Sequence, residues 1–221
     1  GCGWGTLVRR AVSSGFFRRS LPCISAGLLS LTVASCGLAE DERDEKNKYE
    51  YLTFADAAFG AYCVEMFDLD GDGRLSRYEA QRVVRMNCAG RGIASLYGID
   101  EFSRLRRLDC SSNALTELDV RRLAQLEWLD CSANALTTLD IAGLRGLTWL
   151  DCSSNALTAL DPGGVSSLSW LDGHENRFTT LDLKGCSYAL VADLTANSQL
   201  HTVYCLPGQD VRADASAEII R

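Results

Sequence analysis

The chain has 221 residues, 47% of them hydrophobic and 23% charged, with a formal net charge of −7. Those proportions belong to a globular chain and exclude wholesale disorder, and the length allows one or two ordinary domains. The acidic balance, with a pI near 4.9, excludes the basic footprint that nucleic-acid phosphates require, so no nucleic-acid partner is expected.

At the amino end, Arg18-Arg19 precede an apolar stretch from Leu21 to Val33 and then Ala34-Ser35-Cys36. Basic residues, a short apolar run and small residues before a cut site describe a secretory signal over residues 1–35. Residues 1–17 are set apart as doubtful, because no methionine precedes Met66. Val33-Ala34-Ser35-Cys36 resembles a bacterial lipobox. The resemblance implies acylation of Cys36 and a protein held at a membrane by lipid alone. An uncleaved membrane anchor and an ordinary signal are the alternatives. No run of roughly 20 apolar residues follows Cys36, so the folded part is not expected to span a membrane. Residues 36–50 form an acidic linker, with Glu40-Asp-Glu-Arg-Asp-Glu45 at its centre. An acidic run behind a lipobox cysteine resembles the export tag of surface lipoproteins of some Gram-negative bacteria, and a solvated spacer is the plainer account.

Residues 51–82 hold a twelve-residue acidic loop, Asp68-Leu-Asp70-Gly-Asp72-Gly73-Arg74-Leu75-Ser76-Arg-Tyr-Glu79. Calcium is a hard cation that takes six to eight oxygens. Asp68, Asp70 and Asp72 supply carboxylates on alternate residues, and Gly73 permits the turn that aims the Arg74 carbonyl inward. Ser76 acts directly or through water, and Glu79 closes the sphere with two oxygens. The loop resembles an EF-hand over about 30 residues, which implies bound calcium at these six positions. It lacks the second loop with which that family pairs. An unpaired extracellular site would be weak, roughly 10⁻⁴–10⁻³ M, and a turn that takes no metal is the alternative. Thr53 with Asp56 predicts a cap for an entering helix over about 54–67 with Phe54, Ala58, Ala61, Tyr62 and Phe67 as apolar positions, and Ser76 with Glu79 predicts a short exit helix.

From residue 83 a repeat of 21 residues dominates. Leu105-Arg-Arg-Leu108-Asp-Cys110-Ser-Ser-Asn113-Ala-Leu115-Thr-Glu-Leu118-Asp returns at residues 126–140, 147–161 and, altered, 168–182. A fixed period in the twenties means a solenoid. Val83, Met86 and Cys88 sit 22 residues before Leu105, Leu108 and Cys110, so residues 83–104 read as a degenerate first repeat capped by the acidic loop. The pattern resembles bacterial leucine-rich repeats over residues 83–205, which implies an α/β solenoid of parallel strands with a helical amino-terminal cap. Leu108-Asp-Cys110 and its equivalents predict a short strand. Asn113, Asn134, Asn155, Asn176 and Asn197 predict an internal ladder that satisfies turn backbone. A second strand is expected at Leu118-Asp-Val120 and its repeats. The pattern slips after Asp182, and residues 206–221 read as a carboxyl-terminal tail.

Ten cysteines suggest a disulfide framework less than a core column, because Cys88, Cys110, Cys131 and Cys152 share one repeat position. Cys186 with Cys205, or Cys63 with another partner, is open as a bridge. The outward columns read Arg107, Trp128, Trp149, Trp170; then Asp109, Asp130, Asp151, Asp172, Asp193; then Ser111, Ser132, Ser153, His174. A tryptophan stripe flanked by aspartates could grip a protein or a glycan, and Trp128, Trp149, Trp170, Asp130, Asp151, Asp172 and His174 are its candidate ligand-binding residues. The plain alternatives are rung-to-rung stacking and a solvated acidic face. Ser153, His174 and the aspartates beside them lack an oxyanion hole, and His174 and His201 lack a zinc-ligand cluster, so no enzyme is expected. The whole predicts a monomeric, calcium-stabilised, lipid-anchored module at a bacterial cell surface or outer membrane. A glycan-binding component and a structural spacer are the alternatives.

Overall fold

A computed structural model describes residues 48–221. The signal segment, Cys36 and the acidic run at residues 40–45 lie outside the described residues.

Two periodicities build the fold. Asp56 caps helix α1, Ala57–Phe67, by accepting the Phe59 N–H at 2.9 Å. The helix therefore starts after the Asp56 carboxylate rather than near residue 54, and Thr53 stays outside it. Its buried face is Phe59, Tyr62 and Cys63, whereas Ala61 is exposed. Ser76 and Glu79 form the expected capping box at α2, Arg77–Ala80.

From residue 85 the chain coils. Seven three-residue strands form one parallel sheet: β1 (Arg85–Asn87), β2 (Arg107–Asp109), β3 (Trp128–Asp130), β4 (Trp149–Asp151), β5 (Trp170–Asp172), β7 (Val191–Asp193) and β9 (Asp210–Arg212). Each strand sits one residue earlier than the spacing predicts, because Cys110 and its equivalents already turn into the core. β6 (Thr180–Asp182), β8 (Thr202–Tyr204) and β10 (Glu218–Ile220) make a second parallel sheet. The expected second strand is thus a full strand only near the carboxyl end; earlier, it is one bridge between Asp119 and Asp140. Residues 206–221 are no tail. They carry β9 and β10 and extend both sheets, although the spacing to the preceding strand shrinks to 19 residues at β9 (Val191 opposite Asp210) and breaks the visible period.

Register confirms the degenerate first repeat: Met86 lies opposite Leu108, and Leu108 opposite Leu129. Leu105, Leu108, Leu115, Leu126, Leu129, Leu136, Leu147 and Leu150 are fully buried, each contributing about 1.5–3 kcal/mol of transfer free energy. The thiols of Cys63, Cys88, Cys110, Cys131, Cys152, Cys186 and Cys205 are buried and unbridged, so the possible bridges at Cys63 and between Cys186 and Cys205 are not formed. Cys110, Cys131 and Cys152 point their thiols at the carbonyls of Asp130, Asp151 and Asp172, at 3.3–3.4 Å. Where Phe178 replaces the leucine of the other rungs, the cysteine column gives way to Gly173. A Cβ there would stand 3.1 Å from the Phe178 ring, so the small residue makes room for the large one.

The asparagine ladder holds the turns. Asn155 donates from Nδ2 to the carbonyls of Cys131, Cys152 and Ser153 at 3.0–3.1 Å and accepts the Leu136 N–H at 2.9 Å. Asn113, Asn134, Asn176 and Asn197 repeat the pattern. Just before each asparagine, the residue is left-handed without being glycine: Ser112, Ala133, Ser154, Glu175 and Ala196 have φ between 51° and 58°. That conformation costs a β-carbon-bearing residue roughly 1–2 kcal/mol. Ala133→Gly should therefore hold or raise stability, by up to about 1 kcal/mol. Ala61→Gly, on the exposed face of α1, should lose about 1 kcal/mol. Urea melts of the two variants check the contrast, and equal losses would show that the turns are unstrained.

Candidate functional site

The acidic loop follows α1 directly. Gly71 and Gly73 take φ of 73° and 80°, so the chain folds back and both N–H groups reach Asp68, at 2.7 and 2.8 Å. Donation from Gly73 above all, with Gly71 adding to it, holds the Asp68 carboxyl below the usual carboxylate range. Asp68, Asp70 and Glu79 each bring a carboxylate oxygen to within 4.8 Å of the others. Among the described residues this is the one cluster of three such side chains. An all-oxygen donor set suits a hard cation.

The other expected side-chain ligands lie outside that trio and carry hydrogen bonds of their own. Asp72 accepts the Arg74 N–H on Oδ1 at 2.8 Å and the Tyr51 hydroxyl on Oδ2 at 2.8 Å. Ser76 donates to Glu79 Oε2 at 2.8 Å inside the capping box. The Glu79 side chain is buried and also accepts the Leu69 N–H on Oε1 at 2.7 Å. The loop is thus tied to both flanks by the carboxylates that would hold a metal.

The cap joins the solenoid through polar contacts that sequence spacing does not show. Asp56, already the cap of α1, accepts the Ala94 and Ser95 N–H groups on its other oxygen, at 2.8 and 3.2 Å. Burial would raise its pKa, but the N–H donors outweigh burial and lower it. The Tyr62 hydroxyl accepts the Asn87 N–H at 3.1 Å, and Arg91 pairs with Glu65 at 2.8 Å. Arg77 reaches Glu50 at 3.0 Å and Glu101 at 2.9 Å, binding the segment before α1, the exit helix and the first repeat together.

The second candidate region is the outward face of the seven-stranded sheet. The indoles of Trp128 and Trp149 stack at 4.3 Å and 10°, and those of Trp149 and Trp170 at 4.4 Å and 1°. The Arg107 guanidinium covers the Trp128 ring at 4.7 Å. The rings are half-buried, and neighbours occupy the flat faces of Trp128 and Trp149. The stripe therefore presents indole edges to solvent rather than open platforms.

The aspartates beside it serve their own turns. Oδ1 of Asp109, Asp130 and Asp151 accepts the N–H and hydroxyl of the serine two residues on, the hydroxyls at 2.6–2.7 Å. Asp193 does the same with Thr195, at 2.6 Å to the hydroxyl. Burial raises the pKa of Asp130 and Asp151, and their serine donors oppose it. In the fifth rung His174 takes the serine position, with Nδ1 2.6 Å from Asp172 Oδ1. The candidate residues Trp128, Trp149, Trp170, Asp130, Asp151, Asp172 and His174 thus do share one face, and the turns already occupy one oxygen of each aspartate.

No protein-family model and no curated protein matches the chain. Among solved structures, the functional domain of InlJ from Listeria monocytogenes, which includes a cysteine ladder, is 29% identical with a TM-score of 0.62; the similarity covers 69% of this chain and 36% of that one. An internalin, InlF, from Listeria monocytogenes is 18% identical with a TM-score of 0.58, covering 76% of this chain and 56% of that one. The chain thus spans well under two thirds of either. The fold is a leucine-rich-repeat solenoid. Within this leucine-rich-repeat frame, Cys88, Cys110, Cys131 and Cys152 stand one to a rung, all buried. No helix among the described residues is long and apolar enough to cross a membrane.

Sequence spacing missed three groups: Tyr51 against the loop, the second oxygen of Asp56, and the left-handed residue before each asparagine. None of the three repeats a motif of known meaning, although the last recurs at a fixed offset and was open to detection.

The hydrogen bond to Asp172 raises the His174 pKa, with burial opposing it. A folded pKa above the unfolded value of about 6.5 adds stability at lower pH, and the gain is lost as pH rises through the folded value. His174→Ser restores the residue of the other rungs without a titrating group. Melts between pH 5.5 and 8.5 should slope downward with pH in the natural chain and flatten in the variant. Identical slopes would place the titration elsewhere.

Proposed function

We propose that this solenoid is a non-enzymatic binding module that meets a protein partner through the outward face of its seven-stranded sheet. The carrying observation is the packed tryptophan stack beside the aspartate column. It makes a flat, rigid, repetitive surface with aromatic edges and one carboxylate oxygen per rung outside the turn hydrogen bonds. Tryptophan is favoured where proteins meet, and a pre-ordered surface loses little entropy on binding. A sugar ring stacks on an open indole face, and the stack closes those of Trp128 and Trp149, which favours protein over glycan. The same stacking favours one other account, that the tryptophans act only as a rung-to-rung ladder in a spacer. A photo-crosslinking residue at Trp149, compared with one at Thr138 on the exposed connection between β3 and β4, separates the two. Partner protein should be captured from Trp149 and not from Thr138. Capture from both or from neither would overturn the strand-face assignment.

The same proposal places calcium at the Asp68–Glu79 loop and the mature chain at a bacterial surface, lipid-anchored through Cys36. The oxygen cluster of Asp68, Asp70 and Glu79 supports the first, and the lipobox resemblance supports the second. Bound calcium would screen three converging carboxylates and brace the cap through Glu79. At calcium 100 times its Kd, the stabilisation is about 2.7 kcal/mol. Calcium should raise the melting temperature, chelator should reverse the gain, and Asp70→Ala, at an exposed position, should abolish it. An unchanged melt with either treatment would leave the loop a simple turn.

A further inference from the structure

The loop's outer edge is already paired. The Leu52 N–H donates to the Leu75 carbonyl at 2.8 Å, and the Arg77 N–H donates to the Glu50 carbonyl at 2.7 Å. Tyr51 and Ser76 form an antiparallel bridge between them. Three side-chain contacts reinforce the pairing. The Tyr51 hydroxyl donates to Asp72 Oδ2 at 2.8 Å, the Arg74 guanidinium lies over the Tyr51 ring at 3.6 Å, and Arg77 pairs with Glu50 at 3.0 Å.

We propose that residues 50–52 are a built-in pairing strand for the loop, and that Tyr51 is a positioning residue that restrains Asp72, the loop's fourth carboxylate, for ligation of a bound divalent cation. The inference rests on the calcium assignment above. A strand edge left open recruits another chain. Here the chain covers the edge itself, so a single loop is complete within one molecule. The Asp72 carboxylate sits on an exposed turn, and without the hydroxyl it would sample several rotamers. With its Oδ2 held and its Oδ1 on the Arg74 N–H, it loses little freedom on ligating through a remaining lone pair. Because the same hydroxyl joins the loop to residues 50–52, docking of that strand and metal binding must strengthen one another equally. Metal occupancy would thereby fasten the segment that leads back toward the amino end.

The test is calcium calorimetry on the full chain and on Tyr51→Phe, with melts in chelator, trypsin cleavage after Lys48, and sedimentation. The natural chain should bind calcium as a monomer, and calcium should slow cleavage at Lys48. Tyr51→Phe should bind roughly fivefold more weakly, as loss of one ordinary exposed hydrogen bond implies, with little change of its melt in chelator. Its cleavage should be less protected. If the natural chain binds calcium and Tyr51→Phe matches it, the positioning role is overturned while the calcium assignment stands. If calcium drives dimerisation or leaves cleavage at Lys48 untouched, the built-in strand is overturned, whatever the variant does. If the natural chain takes up no calcium, both assignments fall together.

Discussion

The asparagine ladder is the constraint on which the rest depends. Each rung turns inward immediately after its strand, and the turn leaves carbonyls and an N–H facing the core. One amide satisfies the carbonyl of the preceding rung, carbonyls of its own rung, and an N–H of the preceding rung, as Asn155 does for Cys131, Cys152, Ser153 and Leu136. Buried groups of this kind would otherwise cost about 1–3 kcal/mol each. The ladder works only if the residue before it is left-handed, and that strain is accepted at five successive rungs. Cysteine stands three residues before the asparagine in the first three of these rungs, Gly173 in the fourth and Leu194 in the fifth.

The outward face of the seven-stranded sheet inherits its geometry from that stacking. Parallel strands lie about 4.8 Å apart, so identical side chains on neighbouring strands are brought to the separation at which aromatic rings stack. The indoles settle at 4.3–4.4 Å and close one another's faces. The aspartates face the same spacing with like charge, which burial worsens for Asp130 and Asp151. Each answers with two hydrogen bonds from the following turn. A face built this way is stiff, and its chemistry is edges and single carboxylate oxygens.

The cap shares one hydrophobic core with the solenoid, with the Phe59 and Phe67 rings against Phe102, and polar groups reinforce the junction. Asp56 caps a helix with one oxygen and holds the first repeat with the other. Arg77 joins three segments, and Glu79 joins the loop to its exit helix while lying among the converging oxygens. An ion held there would meet Glu79 of α2, the helix from which Arg77 reaches Glu101 of the first repeat.

The sequence by itself determined the period, the parallel strands, the identity of the core leucines and the asparagine ladder, because a repeat prints each structural position several times. It also determined the capping box at Ser76 and the acidic loop, since local spacing sets both. Only the tertiary structure decided the rest. The joining of α1 to the first repeat depended on Asp56 meeting Ala94 and Ser95, 38 and 39 residues away. The last two strands were hidden because the spacing shortened to 19 residues at β9 and 16 at β10, and pairing rather than pattern keeps them in register. The tryptophan column was plain in the sequence, but whether its faces stood open was a matter of strand spacing. Tyr51 was invisible in the loop motif because its partner, Asp72, lies 21 residues on, and only folding brings a hydroxyl to that carboxylate.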